Sequence, residues 1–492
     1  MREDKAARLI DPPVGPTLVR MTIPMIFGIL SMVVFNLTDT FFVSKLGTNA
    51  LAAMSFTFPV IFVIHSIAMG LGVGVSAVIS RVIGSGDQDQ VRRLTTDSLT
   101  LSLLVVGIFV VAGLLTVDPL FRALGATDEI IPLIKQYMYV WYAGVLFVVI
   151  PMVGNSAIRA TGDMKTPSII MIVAMTVNLV LDPLLIFGIG PFPRMELAGA
   201  ALATLIARAL TLIVSLLVLA FREKMLSLER LPIRYHLRSW KSVLYIGLPT
   251  AGTNAIVPVA AGIITRMVAR YGPESVAALG VATRVDPFAM AVIFALSASL
   301  GPFVGQNVGA ARFDRVREGM WLSQKFAFGW GIVMFLLLAA VARPVASLFS
   351  DSPEVVNITV KYLTLVPIGY GLQSVLLLSN TALNVLKKPL HAALLILIQM
   401  FLLYIPLAHL GSRLIGIPGI FIAATVANCL AGIAAFLWLK RVINREEQLL
   451  KDPVISGAWS KEATDSADNV DNVDSVDNVD NVDNLDNTEI AE

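Results

Sequence analysis

Two acids stand inside segments that are otherwise apolar enough to enter a bilayer. Asn36, Asp39 and Thr40 follow one another at i, i+3 and i+4, and Asn178 and Asp182 at i and i+4, spacings that put each set on one face of an α-helix. A carboxyl group at the centre of a bilayer costs about 2.5–3.5 kcal/mol on insertion scales, so a pair of them in one half of the chain points to a use. Pro183 follows Asp182 directly and, having no N–H, leaves the carbonyl of Leu179 without its helical donor. Carboxylates, amide oxygens and a free carbonyl make a site for a proton or for a hard cation such as Na+. The bland reading, in which each polar group only bonds to a neighbouring helix, suits a lone intramembrane Asn or Thr better than Asp39 and Asp182 taken together. Asp286, flanked by Arg284 and Pro287 near the outer start of its apolar segment, reads equally as an interfacial structural acid and as a transport residue. His65 reads as a packing histidine.

Other chemistry has no foothold. There is no phosphate-binding G-x-x-x-x-G-K-[ST] loop, no H-E-x-x-H and no nucleophile elbow, and the chain holds 4 His and 1 Cys, Cys429. An enzyme, a resident cofactor, an internal disulfide and a cysteine metal cage are therefore not expected. Gly70, Gly72 and Gly74 spell G-x-G-x-G, but inside an apolar segment with no strand before it, which suits close helix packing better than nucleotide binding.

The elements that must position these residues are membrane helices. Of 492 residues 56% are hydrophobic and 15% charged, outside the range of soluble domains. Windows of about 20 apolar residues, enough to cross about 30 Å of hydrocarbon, recur at 17–43, 50–75, 95–117, 131–151, 165–190 and 196–221. Six more follow at 240–268, 278–304, 319–346, 358–384, 390–411 and 417–439. The halves are duplicates. At a constant offset Pro24 meets Pro249, Gly47 meets Gly272, Gly84 meets Gly309, Tyr137 meets Tyr362, and Asn155-Ser156-Ala157 meets Asn380-Thr381-Ala382. The match fails at the acids: Asp39 faces Ile264, and the surroundings of Asp182 face Met400 to Tyr404. The expected architecture is an all-α integral membrane protein of twelve transmembrane helices in two six-helix pseudo-symmetric lobes.

Its parts are an N-terminus (1–15), an N-lobe (16–221), a linker (222–240), a C-lobe (241–440) and a tail (441–492). Basic residues gather on the side shared by both termini, the even-numbered loops and the linker, which predicts that this side is cytoplasmic. The apolar segment after the N-terminus is too long for a signal peptide and lacks a small-residue cleavage pattern. From about 462 the tail places Asp at every third position, with 11 acids and no base, a composition of solvated disorder. Calcium binding by its oxygens is the alternative reading, although the glycines of known calcium loops are missing. Residues 1–461 hold 37 basic and 24 acidic groups, a net charge of +13 hidden by the overall +2.

Several stretches resemble the multidrug and toxic compound extrusion (MATE) family. They are Pro24 with Asn36 through Val43, Gly47 with Leu51-Ala52-Ala53, Asn155 with Arg159-Ala160-Thr161-Gly162, and Asn178 through Pro183. Ala278 through Arg284 and Gly305-Gln306-Asn307-Val308-Gly309-Ala310 carry it into the second half. The resemblance covers about 16–445 and implies a central cavity between two lobes and export of organic cations in exchange for protons or sodium. It implies a cation-coupling cluster of Asp39, Asn178 and Asp182, joined by Tyr137 and Thr204. Asn36, Thr40, Asn155, Asp286, Gln373 and Asn380 are candidates for the cavity lining, and Pro24 and Pro183 for hinges. Members with a C-lobe cation site carry a glutamate in the seventh helix and an aspartate in the tenth; here Val257 stands near the first position, and the tenth span offers Gln373, Ser374 and Asn380.

The expected protein is thus a monomeric antiporter of the inner (plasma) membrane, with small cationic organic substrates, the lipid bilayer as its surroundings and no nucleic acid. H+ and Na+ both remain open as coupling ion. One alternative is a lipid-linked oligosaccharide flippase, whose anionic cargo would call for basic residues such as Arg20, Arg208 and Arg284. A receptor or assembly protein that moves nothing is the other.

Overall fold

A computed structural model describes residues 9–44, 48–227 and 232–451. Within helices, the side chains of 36, 37, 39, 40, 43, 44, 48–55, 197, 450 and 451 lie outside the described set. So does the acidic repeat.

Hydrocarbon offers a backbone no hydrogen bonds, so a spanning segment must satisfy its own. The first half forms α1 (Val14–Ser44), α2 (Thr48–Ser85), α3 (Gln88–Ala123), α4 (Ile131–Gly144), α5 (Leu146–Ala160), α6 (Lys165–Phe187) and α7 (Glu196–Leu217). The second forms α8 (Ile233–Val268), α9 (Pro273–Gly309), α10 (Phe313–Phe349), α11 (Pro353–Leu365), α12 (Tyr370–Val385), α13 (Pro389–Leu397), α14 (Ile405–Ile415) and α15 (Ile417–Lys451). Among the described residues eleven helices are long and apolar enough to span a bilayer, or twelve when α4 and α5, bent by 40° at Val145, count as one. The second half breaks its fourth span at the matching place, with a 3₁₀ turn at Val366–Gly369 between α11 and α12.

The helices outrun their apolar windows. The eighth window opens at 278, yet α9 begins at Pro273, whose ring suits a first helical position. Asp286 therefore lies more than three turns inside the helix, not at its outer start. Much of the expected linker is also helical, because α8 begins at Ile233 and runs through Arg234, Arg238 and Lys241. A hydropathy window measures the part in hydrocarbon; backbone hydrogen bonding carries the helix on into the polar zone. The linker is tied to α3, by its non-helical part where Ser227 N donates to Thr96 Oγ1 at 2.9 Å, and by the start of α8 where His236 Nδ1 lies 2.5 Å from Asp97 Oδ1 and Trp240 Nε1 donates to the Asp97 carbonyl at 2.9 Å. Residues 228–231 lie outside the described set. Pro24 and Pro183, expected as hinges, sit inside unbroken helices α1 and α6.

The lobes meet through glycine. A methyl group at Gly74 of α2 would stand 2.5 Å from the Val243 carbonyl oxygen of α8, and one at Gly70 would stand 2.8 Å from Ala251 N. Gly84 would strike the carbonyl of Gln306 on α9, and Gly309 that of Arg81. Only hydrogen fits between these backbones, which is what the G-x-G-x-G run provides. At the same end of the bundle, the segment before α1 is strapped across both halves. Leu9 N donates to Gln306 Oε1 (3.2 Å), Gln306 Nε2 to the Ala160 carbonyl of α5 (2.8 Å), and Asn307 Nδ2 to the Leu9 carbonyl (3.2 Å). Arg315 of α10 reaches Asn307 Oδ1 (2.9 Å) and the Pro12 carbonyl (2.5 Å). This end, which carries most of the basic residues, is closed.

Candidate functional site

Helix α6 turns Asn178 and Asp182 to the interior of the first lobe, where both are 0% exposed. Asn178 Nδ2 donates to Asp182 Oδ1 at 3.1 Å, the i, i+4 contact that the spacing predicts. Thr204 of α7 stands beside them, its Oγ1 3.5 Å from Asn178 Nδ2, at the limit of a hydrogen bond. Tyr137 of α4 is buried in an apolar cluster with Ile186 of α6 and Ala200 and Ala201 of α7. Four of the five expected coupling residues thus come from three helices packed together. The fifth, Asp39, stands on α1, which packs along α6. Its side chain, with those of Asn36 and Thr40, lies outside the described residues.

Chemically, this cluster joins a buried carboxyl to neutral oxygen. Asn178 spends its N–H on Asp182, and among the described residues its own Oδ1 is buried without a partner. A buried amide oxygen left unmade costs about 1–3 kcal/mol, and a cation beside Asp182 would satisfy it. Among the described residues no group of three His, Cys, Asp or Glu is assembled to hold a metal. A proton, or Na+ held largely by neutral oxygens, are the two occupants this chemistry suits.

The second lobe holds a different arrangement, which the sequence did not reveal. Asp286 of α9 accepts a hydrogen bond from Tyr362 Oη of α11 at 2.8 Å on one oxygen and from Tyr370 Oη of α12 on the other. Tyr404, in the π-helical turn Ile398–Tyr404, is near enough for its hydroxyl to interact with the same carboxyl. Tyr362 is the repeat mate of Tyr137, but partners 76 and 84 positions away from Asp286 leave no local signal. The other cavity candidates scatter. Gln373 Oε1 accepts from Asn428 Nδ2 (3.2 Å), and Asn428 Oδ1 from Gln399 Nε2 (2.7 Å), a polar chain within the C-lobe. Asn155 and Asn380, repeat mates, are both buried, each with an unpartnered Oδ1. Arg208 of α7, named in the sequence only as one of few basic residues within the spans, is a half-buried cation one helical turn beyond Thr204, with its Nε buried and its guanidinium carbon 5.1 Å from the Phe35 ring centroid.

This geometry has counterparts among known proteins. A solved structure of the Vibrio cholerae MATE transporter VcmN in its bent form superposes with a TM-score of 0.84 at 30% identity, covering 88% of this chain and 98% of that one. A protein of Shewanella oneidensis named FAD transporter is 40% identical over 434 residues, 88% of this chain and 96% of its own length. A probable multidrug resistance protein of Bacillus subtilis, YoeA, is 25% identical over 457 residues, again 88% of this chain and 96% of the relative. The family model MatE matches residues 24–184 and 249–410, both halves of the duplication. The chain belongs to the MATE family of multi-pass membrane transporters.

Proposed function

We propose that this transporter exports an organic solute in exchange for H+ or Na+, that the coupling cation is handled at Asp182 and Asn178 together with Asp39, and that the solute is a flavin dinucleotide or a close chemical relative. The observation that carries the coupling is the buried carboxyl of Asp182 beside an amide oxygen that has no partner. Inward flow of a cation supplies about 2.3 kcal/mol per charge for each 100 mV. Cation and cargo then drive export by favouring opposite openings of the lobes. The cargo assignment is supported by the 40% identity, over nearly its whole length, to the relative named FAD transporter. It departs from the cationic substrates implied by the sequence resemblance. The buried guanidinium of Arg208 speaks for it, because a cation on the interior of a lobe favours an anionic cargo.

Cationic drugs are the second reading, favoured by the 22–25% identity to proteins named for multidrug resistance or export. In either case the basic, closed end faces the cytoplasm, as the distribution of Lys and Arg argues.

Proteoliposomes separate the readings. Flavin adenine dinucleotide or an organic cation such as ethidium is loaded on one side, and cargo fluorescence is followed together with pH or Na+. Flavin-driven ion movement that disappears in Asp182→Asn is the expected result. Ion-coupled ethidium movement with no flavin movement would replace the cargo; cargo movement with no ion movement would end the antiport reading.

A further inference from the structure

Arg208 stands near the middle of α7, in the part of the helix that must cross the hydrocarbon. A cation at that depth is costly, and the usual remedy is a carboxylate. Among the described residues none pairs with it. Its Nε is buried with no acceptor, its guanidinium carbon lies over the ring of Phe35 of α1, and the neighbour within charge reach on α2 is His65, itself a base. The residue as a whole is only half-buried. Thr204, whose Oγ1 stands 3.5 Å from Asn178 Nδ2, and Arg208 are four positions apart on one face of α7, so Arg208 follows one helical turn after the residue beside the Asn178–Asp182 pair. The guanidinium carbon lies 5.1 Å from the Phe35 ring centroid, and no acceptor among the described residues takes its Nε–H.

A planar fork with no anion among the described residues, in a medium that makes charge pairing strong, is suited to a phosphoryl group. Two parallel N–H···O bonds to phosphate give both energy and orientation. Resting on the cargo reading above, we propose that Arg208, steadied by Phe35, is the subsite that receives a phosphoryl group of a nucleotide-like cargo. Cargo lacking phosphate would forgo that contact and bind correspondingly less well.

The test uses the full chain in detergent and compares flavin adenine dinucleotide, flavin mononucleotide and riboflavin, which share a fluorescent ring and differ in phosphate. Quenching gives each affinity for the wild type, Arg208→Gln and Arg208→Lys. Charged hydrogen bonds predict that the wild type prefers the phosphorylated flavins by about ten-fold or more. Arg208→Gln erases that preference with riboflavin affinity held within about two-fold, and Arg208→Lys, a point charge without the fork, restores part of it. In parallel, inorganic pyrophosphate raises the Tm of the wild type and not that of Arg208→Gln. A wild type with no phosphate preference, or an Arg208→Gln protein that weakens riboflavin as much as the dinucleotide, overturns the subsite. If the wild type binds no flavin but pyrophosphate still stabilises it through Arg208, the flavin cargo is wrong and the subsite stands; if pyrophosphate gives no shift either, both fall.

Discussion

Replacing Gly74 by Ala should pry open the closed end of the transporter. The new methyl group would sit 2.5 Å from the Val243 carbonyl oxygen and 3.2 Å from Gly247 N, whereas unstrained contacts begin at about 3.5 Å. Roughly 1 Å of separation between α2 and α8 is needed, and both opposing atoms are helix backbone, so no rotamer can absorb it. Overpacking of this kind costs about 1–3 kcal/mol. The cost falls on the state in which the two helices touch and not on one in which they have parted, so the closed population should drop by about 5–150-fold relative to the open one. Ser80, 0% exposed where α2 meets Gly305 of α9, reports this directly as Ser80→Cys on a Cys429→Ala background. Its reaction with a maleimide should accelerate by that factor in the Gly74→Ala protein. Gly107→Ala, where a methyl meets nothing within 4 Å, should leave the rate alone. Equal rates with and without Gly74→Ala would refute the reasoning, and so would acceleration accompanied by a collapse in Tm, which would mean general unfolding.

Asp182→Asn should abolish cargo-driven ion movement in proteoliposomes while leaving cargo binding measurable, and Asn178→Ala should weaken coupling less, since it removes a neutral oxygen. Asp286→Asn should preserve coupling and lower stability by about 1–3 kcal/mol in thermal unfolding, because Tyr362 and Tyr370 lose their shared acceptor; coupling lost there and retained in Asp182→Asn would move the ion to the C-lobe. Deleting 462–492 should leave export intact at matched expression, an expectation that fails if a normally inserted truncation stops transporting.

What could be read from the sequence was whatever repeats at short range or at a fixed offset. The apolar windows located the spans, the offset between Pro24 and Pro249 gave the duplication, and the four-residue step from Asn178 to Asp182 gave their contact at 3.1 Å. Gly70 and Gly74 were legible as packing residues for the same reason, since their spacing is that of a helix face. Contacts between distant spans left no such trace. Nothing near Asp286 announces Tyr362 and Tyr370, and nothing near Arg208 in the sequence announces the Phe35 ring on which it lies. The ends of α8 and α9 were misjudged because solubility in hydrocarbon and helix formation stop at different places.

The duplication makes the difference between the lobes interpretable. Both halves break the fourth span at the same repeat position and keep a tyrosine at Tyr137 and Tyr362, so the scaffold around each tyrosine is common. The acid has moved. In the N-lobe it stands on α6 beside an amide, whereas in the C-lobe it stands on α9 between two phenol hydroxyls. An amide N–H bonded to one carboxyl oxygen leaves its own oxygen buried and, among the described residues, unsatisfied, a defect that the proposed cation would repair. Two phenols donating to both oxygens of Asp286 leave no comparable vacancy for a cation to fill, and the triad ties α9, α11 and α12 together. On the proposed coupling, the same type of residue would serve exchange in one lobe and rigidity in the other. If the N-lobe carries the cation as proposed, that lobe would change its charge during the cycle while its partner keeps a fixed set of bonds to move against.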